Sequence, residues 1–464
     1  MPHCQERIYP RREFFRQGMA VAFWAGSFPP LSYLSPKRDA AQGGKALGFS
    51  RSRRSPNDLI QVACIGLGNR GRQHLRGIEA VAGAAVVALC DVDSHVLDRR
   101  ADEFQQDTGR KVRCDVDYRH LLEDRQIDAV AIATWNPTHA EIALAALAAG
   151  KDVYLEKPCA SNVFEGRQLV QAVQNSRRIC FHGVQCRTSP AVREAIGWLE
   201  GGLLGEVRLA RVRCFAGERP PPISHAATPS GLVDDFWLGP APQRPFEGNR
   251  FHQDWRWWGE YGNGPLGKQA FHLVDLARWG LGVAWPRRVC PLRTPRATAE
   301  TFPAILPAQA WRMEFPAEKK TLIVEILPSP TPFPPVGRPE EFPEAVIFYG
   351  TEGVMELGYF GYRTFLGRLQ QPGPQGQAPS QEFEHFIQAV RTGRIEPGGP
   401  DIQQAHVSSG LVHLAHIADR LNQPIEFDPT TETIHADAEA RPFSSRPDRP
   451  PFAVFGNGTC QVLG

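Results

Sequence analysis

The chain has 464 residues, 42% of them hydrophobic and 22% charged, with a formal net charge of +2. That length exceeds one ordinary core and suits two domains with tails, while the near-neutral charge gives no support for nucleic acid or an anionic membrane surface as partner. Ten cysteines run from Cys4 to Cys460 without a C-x-x-C pair, so no metal site is expected, and no apolar run reaches the roughly 18 residues of a membrane span.

At the N-terminus, Arg11-Arg12-Glu13-Phe14-Phe15 precede a short apolar stretch, Met19 to Phe28, and then Pro29-Pro30. Paired arginines ahead of a brief apolar run form the pattern of a twin-arginine export signal. Residues 1–58 therefore read as signal and linker, with the periplasm as destination. The alternative is a disordered tail from a misplaced start, which leaves the protein in the cytoplasm.

Residues 59–182 carry the pattern of a cofactor-binding Rossmann domain. Leu59 to Ile65 is an apolar strand running into Gly66-Leu67-Gly68-Asn69-Arg70-Gly71, a G-x-G-x-x-G loop. The following helix should carry Leu75, Ile78 and Ala82 on one face, and a second strand, Ala85 to Leu89, ends in Cys90-Asp91. In such a loop Gly66 permits the tight turn, Gly68 the approach of a pyrophosphate, and Gly71 the packing of helix against strand. The pyrophosphate is expected at the helix N-terminus. Asp91 is placed to hold a ribose 2′-OH and to repel a 2′-phosphate, which favours NAD over NADP, although Arg70 could soften that choice. Ile127 to Thr134 reads as a buried parallel strand, followed by Trp135, Asn136 as helix N-cap, Pro137 and a helix to Ala149. Asp152 to Leu155 is the next strand. Ligands on such sheets bind beyond the carboxyl ends of the strands, which puts Thr134, Trp135, Asn136 and His139 near one part of the cofactor site and Glu156-Lys157-Pro158 near another.

Together GLGNRG, CDVD, ATWNPTH, AAGKDVYLEKP and GVQCR resemble the glucose-fructose oxidoreductase / inositol dehydrogenase family, Gfo/Idh/MocA. FWLGPAP, DWRWWGEYGNG and HLVDLARWGLG resemble its exported members. The resemblance spans roughly residues 59–440 and implies an α/β fold: a doubly wound parallel Rossmann sheet, then a C-terminal α+β domain (183–440) on a large, mostly antiparallel sheet. A C-terminal tail follows at 441–464. It also implies a homo-oligomer, dimer or tetramer, with the open face of the sheet joining subunits. The lysine of EKP, here Lys157, is implied to reach the nicotinamide and the reacting hydroxyl, where a cation can stabilise a developing alkoxide. Pro158 is expected to set the backbone at the sheet edge.

In the second domain, strands are expected at Val207 to Phe215, Leu322 to Leu327 and Glu344 to Phe348. Phe383, Phe386, Ile387 and Val390 keep helical spacing, as do Val407, Leu411, Leu414 and Leu421. His272 matches the family's catalytic histidine and is the candidate base; the alternative is a structural helix histidine. Many family members have Asp four residues before it, where this chain has Lys268. On one helix face that lysine would adjoin His272 and lower its pKa. Asp275 is a candidate substitute orienter, with a surface or capping role as the alternative. Trp255, Arg256 and Tyr261, with Gln185 and Arg187, are candidates to bind a carbohydrate, the tryptophans alternatively being core. Phe236 to Pro240 reads as a structural loop.

The expected activity is hydride transfer between tightly bound NAD and a secondary hydroxyl of a sugar, glycoside or cyclitol. Two alternatives stand beside it. One is NAD-assisted glycoside cleavage by oxidation and elimination, although the YPTHG-like segment of the family's glycosidases is missing. The other is a non-catalytic sugar-binding protein, for which Lys268 is the best support.

Overall fold

The computed structural model describes residues 59–216, 228–243, 251, 254–259, 261–293, 309–327, 342–435, 449 and 452. The export signal read over 1–58 lies outside the described residues, as does most of 441–464.

Six strands form the first sheet: β1 (Ile60–Ile65), β2 (Ala84–Cys90), β3 (Arg113–Asp115), β4 (Ala129–Ile132), β5 (Asp152–Leu155) and β6 (Cys180–His182). All pairings are parallel and the order is β3-β2-β1-β4-β5-β6, the doubly wound arrangement that opens a crevice where the order reverses between β1 and β4. Side-chain alternation divides β1 between two cores. Ile60, Val62 and Cys64 enter one, Ala63 and Ile65 the other. The helices are α1 (Asn69–Glu79), α2 (Ser94–Thr108), α3 (Tyr118–Leu122), α4 (Asn136–Ala148) and α5 (Val163–Ser176).

Local chemistry accounts for most of their ends. Asp93 caps α2 by accepting from the His95 and Val96 amides, and Asn162 caps α5 through the Glu165 amide. Two expectations need correction. Asn136 is the first helical residue of α4, not its cap; Trp135 flanks the helix and Pro137 is second, so the helix starts one residue early and has no side-chain cap. Ala82 lies beyond α1, which ends at Glu79.

The second sheet has ten strands: β7 (Val207–Phe215), β8 (Arg288–Arg293), β9 (Gln309–Phe315), β10 (Lys320–Leu327), β11 (Ala345–Gly350), β12 (Gly353–Leu357), β13 (Gly361–Leu366), β14 (Gln371–Gln377), β15 (Ile425–Asp428) and β16 (Thr433–His435). Their order is β14-β13-β12-β11-β7-β10-β9-β8-β15-β16. Only the β7–β10 pairing is parallel. Strand β9 alternates strictly, burying Gln309, Trp311, Met313 and Phe315, and the core on that face is closed by α6 (Pro190–Glu200), α8 (Phe271–Leu281) and α10 (Ile402–Leu421). The other face carries ion pairs such as Arg211–Glu325 and Arg363–Glu356. The short α7 (Asp234–Leu238) stands apart from this layer.

The helix α9 (Glu382–Thr392) follows the sequence stripe but packs elsewhere than its position in the chain suggests. Phe386, Ile387, Ala389 and Val390 join the core of the first sheet, beside β1 and α1. Ile402 and Ala405 of α10 enter that sheet's other core. The two sheets are thus tied together by late segments of the chain.

Candidate active site

A cavity of about 760 Å³ opens beyond the carboxyl ends of β1, β2, β4 and β5. One end is the glycine loop. Gly66 has φ +82, and a Cβ there would lie 2.7 Å from the Ala133 carbonyl carbon. A Cβ on Gly71 would lie 1.9 Å from the Gly66 carbonyl oxygen. At Gly68 a Cβ meets nothing within 4 Å and would project into open space. No side chain caps α1, so its first amides and dipole remain available to an anion. Asp91 fastens the loop from below: its carboxylate accepts from the Leu67 amide at 2.7 Å and from the Asp93 amide at 3.0 Å. Buried Arg100 donates to the Leu67 carbonyl at 2.9 Å. A loop with this clearance, facing an uncapped helix end, fits the diphosphate of a dinucleotide.

The other end holds Lys157 and His272. Lys157 follows β5, joined to Pro158 by a cis peptide. Its ammonium donates to the carbonyls of Gly267 at 3.1 Å and Lys268 at 2.6 Å. Loss of hydration pushes the Lys157 pKa down to about 8, opposed by Glu156. His272, the second residue of α8, is pushed down to about 3 by burial and by the Lys157 charge. Its Nδ1 is buried without a hydrogen-bond partner among the described residues.

The expected neighbourhood of Lys268 and His272 differs from a regular helix. Leu266–Ala270 form a single wide π turn before α8 begins. This turn points the Gly267 and Lys268 carbonyls at Lys157, and the Lys268 side chain is exposed at the cavity edge. Asp275 does not orient His272. It receives a bidentate pair from Arg187 at 2.7 and 2.8 Å and a hydrogen bond from Ser408 at 2.6 Å. Burial alone would raise its carboxyl, but Arg187 holds it down at about 2.

Gly66, Gly68, Asn69, Arg70, Asp91, Thr134, Trp135, Asn136, His139, Glu156, Lys157, Gln185, Trp255, Arg256, Lys268 and His272 all line the cavity. Arg187 does not: it is 1% exposed, pairs with Asp275 and stacks 4.5 Å from the Trp279 ring. Tyr261 is also withdrawn, donating to the Pro242 carbonyl at 3.1 Å within an aromatic cluster. Gly71 serves the turn from behind. Arg70 lines the cavity but is held toward β5, donating to Glu156 at 2.6 Å and Glu382 at 2.8 Å, so it does not balance Asp91 in the choice of dinucleotide. His139 ties strand ends together, Nδ1 lying 2.7 Å from the Pro158 carbonyl and Nε2 3.0 Å from that of Thr134.

Several residues were not legible as site components. Phe236 and Trp237, read as a structural loop, lie on α7 and line the cavity, with Trp237 stacked 4.2 Å from Trp135. Phe251, Asn263 and Phe452 line it as well. Glu382, the first residue of α9, accepts from Arg70, Tyr154 and Gln185. An acid at a helix start is so common that no sequence signal marks this one. Among the described residues no group of His, Cys, Asp and Glu is arranged to hold a metal, and no helix is long and apolar enough to cross a membrane.

Comparison with known proteins agrees with this geometry. Residues 60–184 match an oxidoreductase family, NAD-binding Rossmann fold, and residues 216–286 and 344–454 match that family's C-terminal alpha/beta domain. An inositol 2-dehydrogenase of Paracoccus denitrificans is 34% identical over 150 residues, 31% of this chain and 44% of the relative. A glycosyl hydrolase family 109 protein of Saccharopolyspora erythraea is 30% identical over 194 residues, 41% of each. The chain thus spans less than half the length of these relatives. Among solved structures, aldose-aldose oxidoreductase from Caulobacter crescentus superposes with a TM-score of 0.60 at 18% identity, covering 80% of this chain and 100% of that one. Levoglucosan dehydrogenase in complex with NADH and levoglucosan gives 0.58 at 19%, covering 80% and 99%. These likenesses show the fold. With both halves matched, the chain belongs to the Gfo/Idh/MocA oxidoreductase family.

Proposed function

We propose that the chain transfers hydride between tightly held NAD and a secondary hydroxyl of a sugar, glycoside or cyclitol. The observation that carries this reading is that the Lys157 ammonium lines the same cavity as the uncapped, glycine-cleared end of α1. NAD when bound supplies a hydride acceptor at its nicotinamide. The residues of the chain do the rest. Two carbonyls fix Lys157, so the ammonium stays in place to bind the substrate oxygen and to stabilise charge developing on it. His272 lines the same cavity and is neutral across the working pH range, so its imidazole can accept the hydroxyl proton. So low a pKa makes it a weak base, so it takes the proton only as Lys157 draws negative charge onto the oxygen. Asp91 favours NAD over NADP, since a 2′-phosphate would meet its carboxylate.

The substrate class is supported by relatives named as inositol 2-dehydrogenase and by a fold neighbour solved with levoglucosan. Incubation with NAD and a panel of hexoses, glycosides and cyclitols tests it: at least one should yield NADH absorbance, lost in Lys157→Ala. Bound NAD with no hydride transfer from any of them would favour a sugar-binding protein instead. The relatives in glycosyl hydrolase family 109 favour a second reading, cleavage without net NADH formation, detected as released aglycone at constant absorbance. Export to the periplasm by the twin-arginine route and assembly into a dimer or tetramer belong to the same proposal. The paired Arg11-Arg12 support the first, and the ten-stranded sheet supports the second; cell fractionation and light scattering test them.

A further inference from the structure

A second, smaller cavity of about 70 Å³ lies beside the catalytic one. Ser161, Gly262, His413, His416 and Ile417 contribute to its walls. Asn136 and Asn263 line both cavities and so stand where the two adjoin. Asn136 opens α4 beyond β4. Asn263 lies in the segment leading to the π turn whose carbonyls hold Lys157, and its own carbonyl accepts from the Gly267 amide at 3.2 Å. The two asparagines are 7% and 8% exposed. Neither side-chain amide makes a hydrogen bond to the described residues, and the buried Ser161 hydroxyl has no partner either.

Buried polar groups are nearly always matched, and a group left over calls for an explanation. Here the Ser161 hydroxyl and His416 Nε2 are two such atoms on one small space, beside the amides of Asn136 and Asn263 that line both cavities. Each amide offers both a donor and an acceptor, and the serine hydroxyl does the same. An apolar aglycone would leave all of them unmatched. A hydroxylated group would match them, because each of its hydroxyls also donates and accepts. The space holds on the order of five water-sized centres, enough for a hydroxyl-bearing arm or the edge of a second sugar ring.

We propose that this annex is a second subsite, taking a hydroxyl-bearing unit joined to the ring that is oxidised at Lys157, with Asn136 and Asn263 as the residues that admit it. The inference rests on the reading of the chain as a sugar oxidoreductase. The preferred substrate is then a disaccharide or similar glycoside with a polar second unit, in preference to the free hexose.

Calorimetry on the full chain loaded with NADH, titrated with hexoses and with disaccharides carrying those hexoses in each linkage, tests this, with turnover in NAD measured in parallel. The expected result is at least tenfold tighter binding of one disaccharide than of its parent hexose. Ser161→Leu, which fills the annex, should bring that ratio to about one, and Ser161→Thr, which keeps the hydroxyl, should restore most of it. If Ser161→Leu does not fold, Ser161→Ala replaces it and should lower the ratio about threefold. Equal binding of hexose and disaccharide to the unaltered chain would overturn the subsite and leave an annex holding water only. A fall of both affinities in proportion would assign Ser161 a structural role and would also overturn it. Hexose binding and turnover without discrimination removes only this inference, whereas absence of any sugar binding removes the oxidoreductase reading on which it stands.

Discussion

The two ends of the candidate active-site cavity are made from different material. The glycine-loop end is backbone: six consecutive residues, an uncapped helix and a strand-end aspartate, positioned by steric clearance within one βαβ unit and against the end of the neighbouring β4. The Lys157 end is assembled from the end of β5, a π turn, α8, α7 and residues as late as Phe452. The first can form from local interactions as the sheet forms. The second exists only once distant segments have packed, and its functional groups are held by buried polar networks. Damage should therefore differ in kind: at the first end binding and local packing fail, whereas at the second chemistry or global stability fails.

The largest effect is expected at Lys157. Lys157→Ala should lower kcat by about 10³-fold, roughly 4 kcal/mol of transition-state stabilisation, with NAD affinity changed less than about threefold; stopped-flow hydride transfer and calorimetry check the two halves. Next is the support of α8. Arg187→Ala leaves the fully buried Asp275 carboxylate without its bidentate partner and should cost about 3–5 kcal/mol of unfolding free energy, measured by denaturant titration. A Cβ on Gly71 would strike backbone, so Gly71→Ala should cost about 2–3 kcal/mol of stability. Gly68→Ala should stay within about 0.5 kcal/mol yet weaken NAD roughly tenfold, because its Cβ enters the space of the ligand. Equal stability losses in the two glycine variants would blur the distinction drawn here.

The pH dependence sharpens the same contrast. The Lys157 pKa is depressed to about 8, and its role requires the cation. Turnover should therefore be full below that pH and fall about tenfold per unit above it, the charged form being lost as pH rises. A rising limb near 8 would instead make neutral Lys157 the base. The smallest effect is at Asp91, where Asp91→Ala should shift the preference for NAD over NADP by about tenfold toward NADP, read from the ratio of affinities.

The sequence makes the first end readable because a glycine turn, its strand, its helix and its acid are contiguous, and each has one steric or electrostatic function. Lys157 is readable because the E-K-P motif that carries the family resemblance places it just past the carboxyl end of the fifth strand. The second end is only partly readable. Trp237 and Phe236 sit in a five-residue helix too short to show periodicity, and Glu382 meets Arg70 from 312 positions away. Lys268 looks like a neighbour of His272 on an ideal helix, but the π turn breaks that geometry, and it is the backbone carbonyl of Lys268 that holds Lys157. Arg187 and Asp275 show how charge in a site-like motif can serve packing: both are spent on each other inside the core.

A crystal structure of the full chain with NADH tests the central claim most directly. The account predicts the diphosphate on the amides at the start of α1 and the dihydropyridine ring beside the Lys157 ammonium. A dinucleotide lying elsewhere, or one whose ring points away from Lys157, would contradict it.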